Sequence, residues 1–191
     1  MPNLKGTQTE KNLLKSFAGE SQATNRYLMF AKTAKKEGYE QIASIFEIIA
    51  KQEIEHAKRF FRLLEGGNVE ITATYPAGSV GTTADNLKAA ANGEHEEWNE
   101  AYPEFAKIAT AEGFTDIAQV FKAIADAEQG HENKFRKLLS NLEKGEVFSK
   151  SQKIKWHCRN CGMIVESGQA PEKCPACLHP QSYFEVNPDN Y

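Results

Sequence analysis

The sequence lacks the features that mark membrane, secreted and nucleic-acid-binding proteins. No apolar run approaches the roughly 20 residues of a membrane-spanning helix, and the polar start MPNLKGTQTEKNLLKS lacks the apolar core of a signal peptide. The net charge is −3, so the chain has no basic field that would attract nucleic acid or an anionic membrane. We therefore expect a cytoplasmic protein that binds neither.

Cysteine is also absent until Cys158, after which all four cysteines follow within a short stretch that ends at Cys177. Four of the seven prolines lie after residue 170, so the composition changes in the same region. In a reducing compartment, paired Cys-x-x-Cys motifs are more often metal or redox sites than structural disulfides. The sequence therefore predicts one domain over 1–147, a linker over 148–155 and a second domain over 156–191.

Helical periodicity marks four long segments of the first domain, which are 8–37, 39–65, 84–112 and 115–143. Thr83 is the expected N-cap of the third segment, and tight turns at Gly38 and Gly113 indicate two helical hairpins. The stretch from Gly67 to Thr82 is too rich in turn residues for a helix and long enough to cross a bundle. These features predict a mainly α protein with a four-helix bundle and one long crossover.

The two hairpins form an internal repeat with an offset of 75 residues. Phe30-Ala31-Lys32 recurs as Phe105-Ala106-Lys107, and Glu53-x-x-His56 recurs as Glu128-x-x-His131, among several other matches. Chance does not give that many matches at one offset, so the two hairpins should have equivalent structures.

The third helix departs from the repeat by one inserted residue. The offset is 74 up to Glu94 and 75 from Tyr102 onwards, which places the extra residue between them. Pro103 follows directly, and a proline cannot donate the helical hydrogen bond at its position. Both features predict a π-bulge between Trp98 and Tyr102.

Glutamate and histidine occupy otherwise apolar helix faces in the bundle. Glu53 and His56 continue a stripe that includes Phe46, Ile49 and Phe60, spaced three or four residues apart. Crowded buried carboxylates repel one another, and because no Lys or Arg lies on these stripes, metal ions must compensate them. Oxygen-rich ligation with one imidazole per ion suits iron or manganese better than zinc or copper. The pattern known from ferritin-like bundles is complete with Glu20, Glu94, Glu53, His56, Glu128 and His131.

Three features of the bundle sequence each have two interpretations. A single Glu-x-x-His is usually a solvated helix face, whereas two copies in register favour a metal site. Glu97 lies three residues after Glu94 and can face the same cavity, although it could equally point to solvent as Glu96 does. Tyr27 and Tyr102 either donate hydrogen bonds to ligand carboxylates or only pack. His95 lies off the ligand face and is expected at the surface.

The second domain carries a four-cysteine motif. Cys158-x-x-Cys161 and Cys174-Pro-x-Cys177 supply four thiolates from two tight turns, which is a tetrahedral site for iron or zinc. Few large apolar residues accompany them, so the metal must contribute most of the folding energy. The spacing fits both a structural zinc ribbon and a rubredoxin-type iron centre that carries one electron. A redox-active bundle site needs an electron entry point, which favours iron.

Together, the bundle motifs and the Cys-x-x-Cys-Gly and Cys-Pro-x-Cys knuckles resemble the rubrerythrin family over essentially the whole chain. The resemblance implies a ferritin-like bundle plus a small rubredoxin-like, β-rich metal domain, with two irons in the bundle and one iron, or zinc as a substitute, at the cysteines. It implies a non-haem di-iron peroxidase that reduces hydrogen peroxide to water in oxidative-stress defence. A rubredoxin or an NAD(P)H-dependent reductase would supply electrons to a head-to-tail homodimer.

The resemblance also implies roles for individual residues. The iron ligands would be Glu20, Glu53, His56, Glu94, Glu97, Glu128 and His131 in the bundle, with Glu53 and Glu128 bridging, and Cys158, Cys161, Cys174 and Cys177 in the small domain. One iron would exchange Glu97 for His56 between oxidation states. Glu97, His56, Tyr27 and Tyr102 are accordingly the predicted catalytic residues.

Two other functions fit the same motifs. A ferritin-type iron-storage protein would oxidise Fe(II) and take up iron far beyond the three ions of these sites. A zinc-stapled binding module with an inert bundle would be colourless. Metal analysis with a visible spectrum, followed by reoxidation with peroxide and with dioxygen, separates the three functions.

Overall fold

A computed structural model describes residues 3–189, so residues 1, 2, 190 and 191 of the predicted domains lie outside the described part. The bundle is formed by α1 (Gln8–Lys36), α2 (Glu40–Phe61), α3 (Thr83–Glu96), α4 (Tyr102–Ala111) and α5 (Thr115–Glu143). Helices α3 and α4 are two parts of one long helix that a π-helical segment joins. The predicted fold class is confirmed, with a four-helix bundle, one long crossover and a small β-rich domain. None of the described helices is long and apolar enough to cross a membrane.

The crossover connects α2 to α3 without forming any helix or strand between residues 64 and 82. It ends at Thr82, which caps α3 in place of the predicted Thr83. The Asp85 amide donates to the Thr82 hydroxyl, and the Thr82 amide donates to the Asp85 carboxylate, so a complete capping box begins the helix. The prediction of Thr83 was wrong because the carboxylate partner lies three residues after Thr82, not after Thr83.

Each hairpin also caps the first helix of the other. The Thr83 amide donates to Glu37 Oε2 over 3.0 Å, and the Thr9 amide donates to Glu112 Oε2 over 2.8 Å. Glu37 and Glu112 are equivalent in the repeat. A carboxylate at a helix N-terminus satisfies free amides and the helix dipole together, so these contacts lock the two hairpins in one relative register.

The predicted π-bulge is confirmed, one residue earlier than expected. Residues Glu97–Ala101 are π-helical, and the Tyr102 amide donates to the Glu97 carbonyl. The inserted residue widens one turn so that the apolar faces before and after it keep their alignment. Pro103 lies in the first turn of α4, where a missing amide hydrogen costs little.

Two apolar clusters fill the bundle on either side of a carboxylate layer (Glu20, Glu53, Glu94 and Glu128). One cluster includes Tyr27, Phe30, Phe46, Ile49, Leu87 and Phe135, and the other includes Leu13, Phe60, Tyr102, Phe121 and Ile124. On each long helix the glutamate lies between members of the two clusters. All four carboxylates are at most 1% exposed, so the polar layer crosses the middle of an otherwise apolar core.

The small domain is an antiparallel sheet with the strand order β2-β1-β3. Its strands are β1 (Ser149–Cys158), β2 (Ile164–Gln169) and β3 (Phe184–Val186). The predicted linker over 148–155 lies largely within β1, because Ser149 and Ile154 already pair with Gln169 and Ser167. The sheet therefore begins before residue 156.

Candidate metal centres

Two groups of four potential ligands meet in the carboxylate layer. The ligand atoms of each group lie within 4.8 Å of one another, and the groups are Glu20, Glu53, His56 and Glu128, and Glu53, Glu94, Glu128 and His131. Glu53 and Glu128 belong to both groups and are therefore placed to bridge two ions. Six of the seven bundle residues that the sequence predicted as ligands come together here.

The two histidines approach Glu53 and Glu128 almost symmetrically. His56 Nδ1 lies 2.7 Å from Glu128 Oε1 and 3.0 Å from Glu53 Oε2. His131 Nδ1 lies 2.7 Å from Glu128 Oε2 and 3.0 Å from Glu53 Oε1. This arrangement follows from the repeat, since the two Glu-x-x-His motifs stand on equivalent helices that face each other.

The residues fit two metal ions, as their unpaired polar atoms show. Within residues 3–189, no hydrogen bond with acceptable angles reaches Glu20 Oε2, Glu53 Oε1, Glu94 Oε2, either Glu128 oxygen or His131 Nδ1, although the histidine nitrogens lie close to Glu53 and Glu128. Buried polar atoms without partners are costly. Two cations between the carboxylates would satisfy these atoms together, and a carboxylate-rich set with one imidazole per ion suits iron.

Two buried tyrosines orient Glu94 and Glu20, the carboxylates that belong to only one ligand group each. The Tyr27 hydroxyl donates to Glu94 Oε1 over 2.6 Å, and the Tyr102 hydroxyl donates to Glu20 Oε1 over 2.5 Å. Each hydrogen bond joins one hairpin to the other and leaves the second oxygen of the carboxylate facing the centre. Burial, and then the charge of the partner glutamate, raises the pKa of each tyrosine well above its usual value, so both remain donors.

Glu97 lies outside both ligand groups, beside a pocket of about 240 Å³ that we call the Glu97 pocket. Its lining includes Gly19, Arg26, Tyr75, Glu97 and Tyr102. A Cβ atom at Gly19 would lie 3.7 Å from the Tyr75 ring and 3.8 Å from Glu97 Oε1, so the crossover and the π-helical segment both approach α1 here. Ligation by Glu97 therefore stays a prediction.

Three glutamates of the carboxylate layer have shifted pKa values, which are raised for Glu20 and Glu94 and lowered for Glu53. Burial raises the pKa of Glu94 to about 8, against the contact with His131 and in the same direction as the charges of Glu53 and Glu128. Burial likewise raises the pKa of Glu20. Glu53 behaves oppositely, because its contacts with both histidines outweigh burial and lower its pKa to about 2.

The metal-free bundle should lose stability as the pH rises from about 5 to about 9. Glu20 and Glu94 have raised folded-state pKa values, so their stabilising contribution is complete below the unfolded value of about 4.3. This contribution is lost as the pH rises through the folded-state pKa, which is about 8 for Glu94. His56 acts in the same direction, because its contacts with Glu128 and Glu53 outweigh burial and raise its pKa to about 9. The lowered pKa of Glu53 matters only below about pH 4.

Thermal unfolding of the full chain, followed by helical circular dichroism, checks this prediction. The melting temperature of the metal-free protein should fall between pH 5.5 and pH 8.5. The melting temperature of the metal-loaded protein should instead rise with pH in the acidic half of this range, because protons compete with metal for the same ligands. A metal-free melting temperature that rises with pH would contradict the assignment of raised pKa values.

Two further side chains near the ligands were not identified from the sequence. Gln52 Oε1 lies 2.9 Å from His131 Nε2, on the side of the ring away from the carboxylates. Glu132 is nearly buried and accepts hydrogen bonds from Trp98, Arg136 and His95, which ties the π-helical segment to α5. The contacts of Gln52 with His131 and of Glu132 with Trp98 and His95 join different segments, so periodicity along one helix carries no signal for them. His95 is exposed over 44% of its side chain, although this contact tethers it.

The four cysteines come together in the small domain. The Sγ atoms of Cys158 and Cys177 lie 3.8 Å apart, and those of Cys161 and Cys174 lie 3.6 Å apart. A tetrahedral ion with metal–sulfur bonds of about 2.3 Å requires separations of about 3.8 Å, whereas a disulfide has a bond of about 2.05 Å. The four thiols therefore fit one metal ion.

The two cysteine knuckles have the same backbone design. Gly162 and Leu178 each follow the second cysteine with a φ of 79° and 61°, and their amides donate to the carbonyls of Cys158 and Cys174. The His179 amide donates to the Cys177 sulfur and lowers the pKa of that thiol to about 6. Backbone amides directed at sulfur stabilise the thiolate form that binds metal.

Comparison with known proteins agrees with both centres. The rubrerythrin family model matches residues 11–139, and the model of the rubrerythrin rubredoxin-like domain matches residues 156–185. Rubrerythrin of Porphyromonas gingivalis is 57% identical over 99% of this chain and 94% of that protein. Rubrerythrin of Nitratidesulfovibrio vulgaris is 54% identical, over 97% of each chain.

Among solved structures, nigerythrin in a mixed-valence state is 30% identical, with a TM-score of 0.64 over 97% of this chain and 92% of that one. The bundle ligands thus form a ferritin-like di-iron site, and the four cysteines form a rubredoxin-like iron site. The chain belongs to the rubrerythrin family, whose members are oxidoreductases.

Proposed function

We propose that the protein is a non-haem di-iron peroxidase that reduces hydrogen peroxide to water. The observation that carries the proposal is the Glu97 pocket, which has about 240 Å³. Its wall includes Tyr102, whose hydroxyl binds the ligand Glu20. Pockets for drug-sized organic molecules usually start at about 300 Å³, and one water in the liquid takes about 30 Å³. The pocket therefore suits a small oxidant next to the metal ligands.

The reaction needs two electrons and two protons, since H2O2 + 2e⁻ + 2H⁺ gives 2H2O. When bound, the two irons supply the electrons that break the O–O bond. Side chains of the protein supply the groups that donate or hold the protons. Tyr102 and Glu97 both line the pocket, and the Tyr102 hydroxyl carries a hydrogen that it donates to Glu20. These two residues are the proposed proton-handling groups, with Tyr27 in the equivalent position at Glu94.

Glu97 and His56 are the proposed pair that exchanges at one iron between oxidation states. His56 belongs to the ligand group that contains Glu20, while Glu97 stands at the first position of the π-helical segment beside the same group. The repeat supports this asymmetry, because the positions on α1 that correspond to Glu97 are Gln22 at an offset of 75 and Ala23 at an offset of 74, so no second carboxylate follows Glu20 there. One side of the site thus has a spare carboxylate, and the other has none.

Electrons enter through the four-cysteine iron in this proposal. The rubredoxin-like domain carries electron-transfer chemistry, and a rubredoxin or an NAD(P)H-dependent reductase is the proposed donor. The proposed assembly is a head-to-tail homodimer in which the cysteine-bound iron of one subunit approaches the di-iron site of its partner. The proposed setting is oxidative-stress defence in the cytoplasm.

Reoxidation of the reduced iron-loaded protein tests the proposal. The full chain is reduced anaerobically and mixed with equal concentrations of hydrogen peroxide or dioxygen while the visible spectrum is followed. Peroxide should restore the oxidised spectrum at least 10-fold faster, with one peroxide consumed per pair of bundle irons. Faster recovery with dioxygen, together with iron loading far beyond three ions, would support iron storage. A colourless protein as purified would support a zinc module.

A further inference from the structure

The Glu97 pocket lies between the crossover and the helices, because both contribute to its walls. Glu97 and Tyr102 belong to the helical wall, and the Tyr102 hydroxyl donates to the ligand Glu20 over 2.5 Å. This end of the pocket therefore borders the carboxylate layer. The surface of the pocket as a whole is mainly apolar, and its apolar part includes Ala73, Tyr75, Pro76, Ala101 and Phe105.

Hydrogen peroxide leaves most of this pocket unfilled. One water takes about 30 Å³ in the liquid, so hydrogen peroxide, with two heavy atoms, takes roughly 60 Å³ at the same packing. The pocket has about 240 Å³. Its apolar walls also gain nothing from a fully polar substrate, because the hydrophobic effect favours only the burial of apolar surface. Size and polarity together fit a molecule with a hydroperoxide group at one end and a small alkyl group at the other.

Tyr75 closes the apolar part of the pocket from the crossover. Its side chain is partly buried, whereas every other residue from 72 to 80 is exposed. The Tyr75 hydroxyl donates to the Lys15 carbonyl on α1 over 2.7 Å. A Cβ atom at Gly19 would lie 3.7 Å from the Tyr75 ring and 3.8 Å from Glu97 Oε1, so the ring and the carboxylate flank one glycine. All these contacts lie within one chain and do not depend on the proposed homodimer.

We propose that the Glu97 pocket also takes small alkyl hydroperoxides and that Tyr75 limits their size. The hydroperoxide group lies at Glu97 and Tyr102, and the alkyl group lies against the Tyr75 ring. In the reaction, ROOH + 2e⁻ + 2H⁺ gives ROH + H2O. The O–O bond breaks, two electrons come from the reduced protein, and two protons complete the alcohol and the water. The inference rests on the proposed function and adds a second substrate class at the same site.

Reoxidation of the reduced, iron-loaded full chain with three peroxides tests the proposal. At about 30 Å³ per heavy atom, tert-butyl hydroperoxide takes roughly 180 Å³ and fits the pocket, whereas cumene hydroperoxide takes roughly 330 Å³ and does not. The rate with tert-butyl hydroperoxide should be within about 10-fold of the rate with hydrogen peroxide. Cumene hydroperoxide should react about 10-fold more slowly still, because an oversized group strains a packed site.

Two variants change the pocket in opposite directions. Tyr75→Ala removes one wall and should raise the rate with cumene hydroperoxide, relative to hydrogen peroxide, by about 10-fold. Gly19→Ala fills the space beside Glu97 and should lower the relative rate with tert-butyl hydroperoxide by about 10-fold. The added methyl group makes only ordinary van der Waals contacts, so this variant should fold.

Two controls separate pocket size from a general effect on the crossover. Tyr75→Phe keeps the ring and should keep the wild-type order of the three peroxides. Thr72→Ala changes an exposed residue of the same crossover that does not line the Glu97 pocket, and it should react as the wild type does. Thermal unfolding checks that each variant is folded.

Binding of tert-butyl alcohol, the unreactive product, gives a readout that needs no turnover. In the zinc-substituted full chain, the alcohol should shift the NMR signals of the Gly19 amide and the Tyr75 ring, while the Thr72 amide signal stays in place. Gly19→Ala should weaken this binding by about 10-fold.

The possible results distinguish this inference from the proposed function. A normal rate with hydrogen peroxide and no reaction with tert-butyl hydroperoxide would overturn the inference and leave the proposed function standing. Equal rates with both alkyl hydroperoxides in the wild type, or equal changes of all three rates in Tyr75→Ala, would overturn the role of Tyr75. If no peroxide reacts, the proposed function fails. The NMR shifts then decide the inference, because their presence supports the alkyl site and their absence overturns it.

Discussion

Replacing Glu97 with alanine should slow the reaction with peroxide by roughly 100-fold while both bundle irons still bind. The six other bundle ligands already form two complete groups, and Glu97 lies outside both. Its carboxyl group contributes to the Glu97 pocket and, as proposed, to ligand exchange and proton transfer. A positioned proton-transfer group usually contributes 10²- to 10⁴-fold to a rate. Iron content and rapid mixing of the reduced protein with peroxide provide the two measurements.

Glu96→Ala is the matched control for this variant. Glu96 is the preceding glutamate and is exposed at the end of α3, so its replacement removes the same type of side chain without touching the ligands. It should bind iron and react with peroxide as the wild type does. Unchanged turnover in Glu97→Ala would refute the exchange role. Loss of one iron from that variant would instead make Glu97 an obligatory ligand.

Replacing Cys174 with serine should reduce steady-state turnover at least 100-fold and leave a single turnover of the bundle intact. Cys174 is fully buried in the small domain, where its sulfur lies 3.6 Å from that of Cys161. Structural four-ligand sites contribute on the order of 10 kcal/mol of metal-binding free energy to folding, so the small domain should lose both its iron and its fold. Electrons from a protein donor then have no entry point.

Two experiments on the same sample resolve this prediction. Chemical reduction of the bundle followed by one addition of peroxide should proceed at the wild-type rate, whereas continuous turnover with rubredoxin and a reductase should stop. Ala176→Ser alters the same knuckle without removing a thiolate and should behave as the wild type. Full steady-state activity in Cys174→Ser would mean that electrons reach the bundle directly.

The parts of the site that were predicted from the sequence are those encoded along single helices. The Glu-x-x-His motifs could be predicted because helical spacing places both residues on an apolar stripe, and the repeat showed that the stripes are equivalent. The π-helical segment could be predicted because an inserted residue and Pro103 disturb one helix at one place. In each case the signal lies in residues that are close in sequence.

The parts that were missed depend on neighbouring helices or on solvent-facing strands. Gln52 is exposed and Glu132 is charged, and the contacts that join them to other helices arise only where α2, α3 and α5 come together. The sequence predicts a linker at the start of β1 because most residues there are polar on both faces. Backbone pairing with β2, not side-chain burial, makes that segment a strand.

The crossover between α2 and α3 has a consequence for how the site assembles. One hairpin contributes Glu20, Glu53 and His56, and the other contributes Glu94, Glu128 and His131. On separate chains, the two half-sites would have to meet by diffusion, and their affinity for metal would fall with dilution. A short flexible tether gives its two ends an effective concentration in the millimolar range. Joined by residues 64–82, the two half-sites capture metal with an affinity that stays the same at any protein concentration.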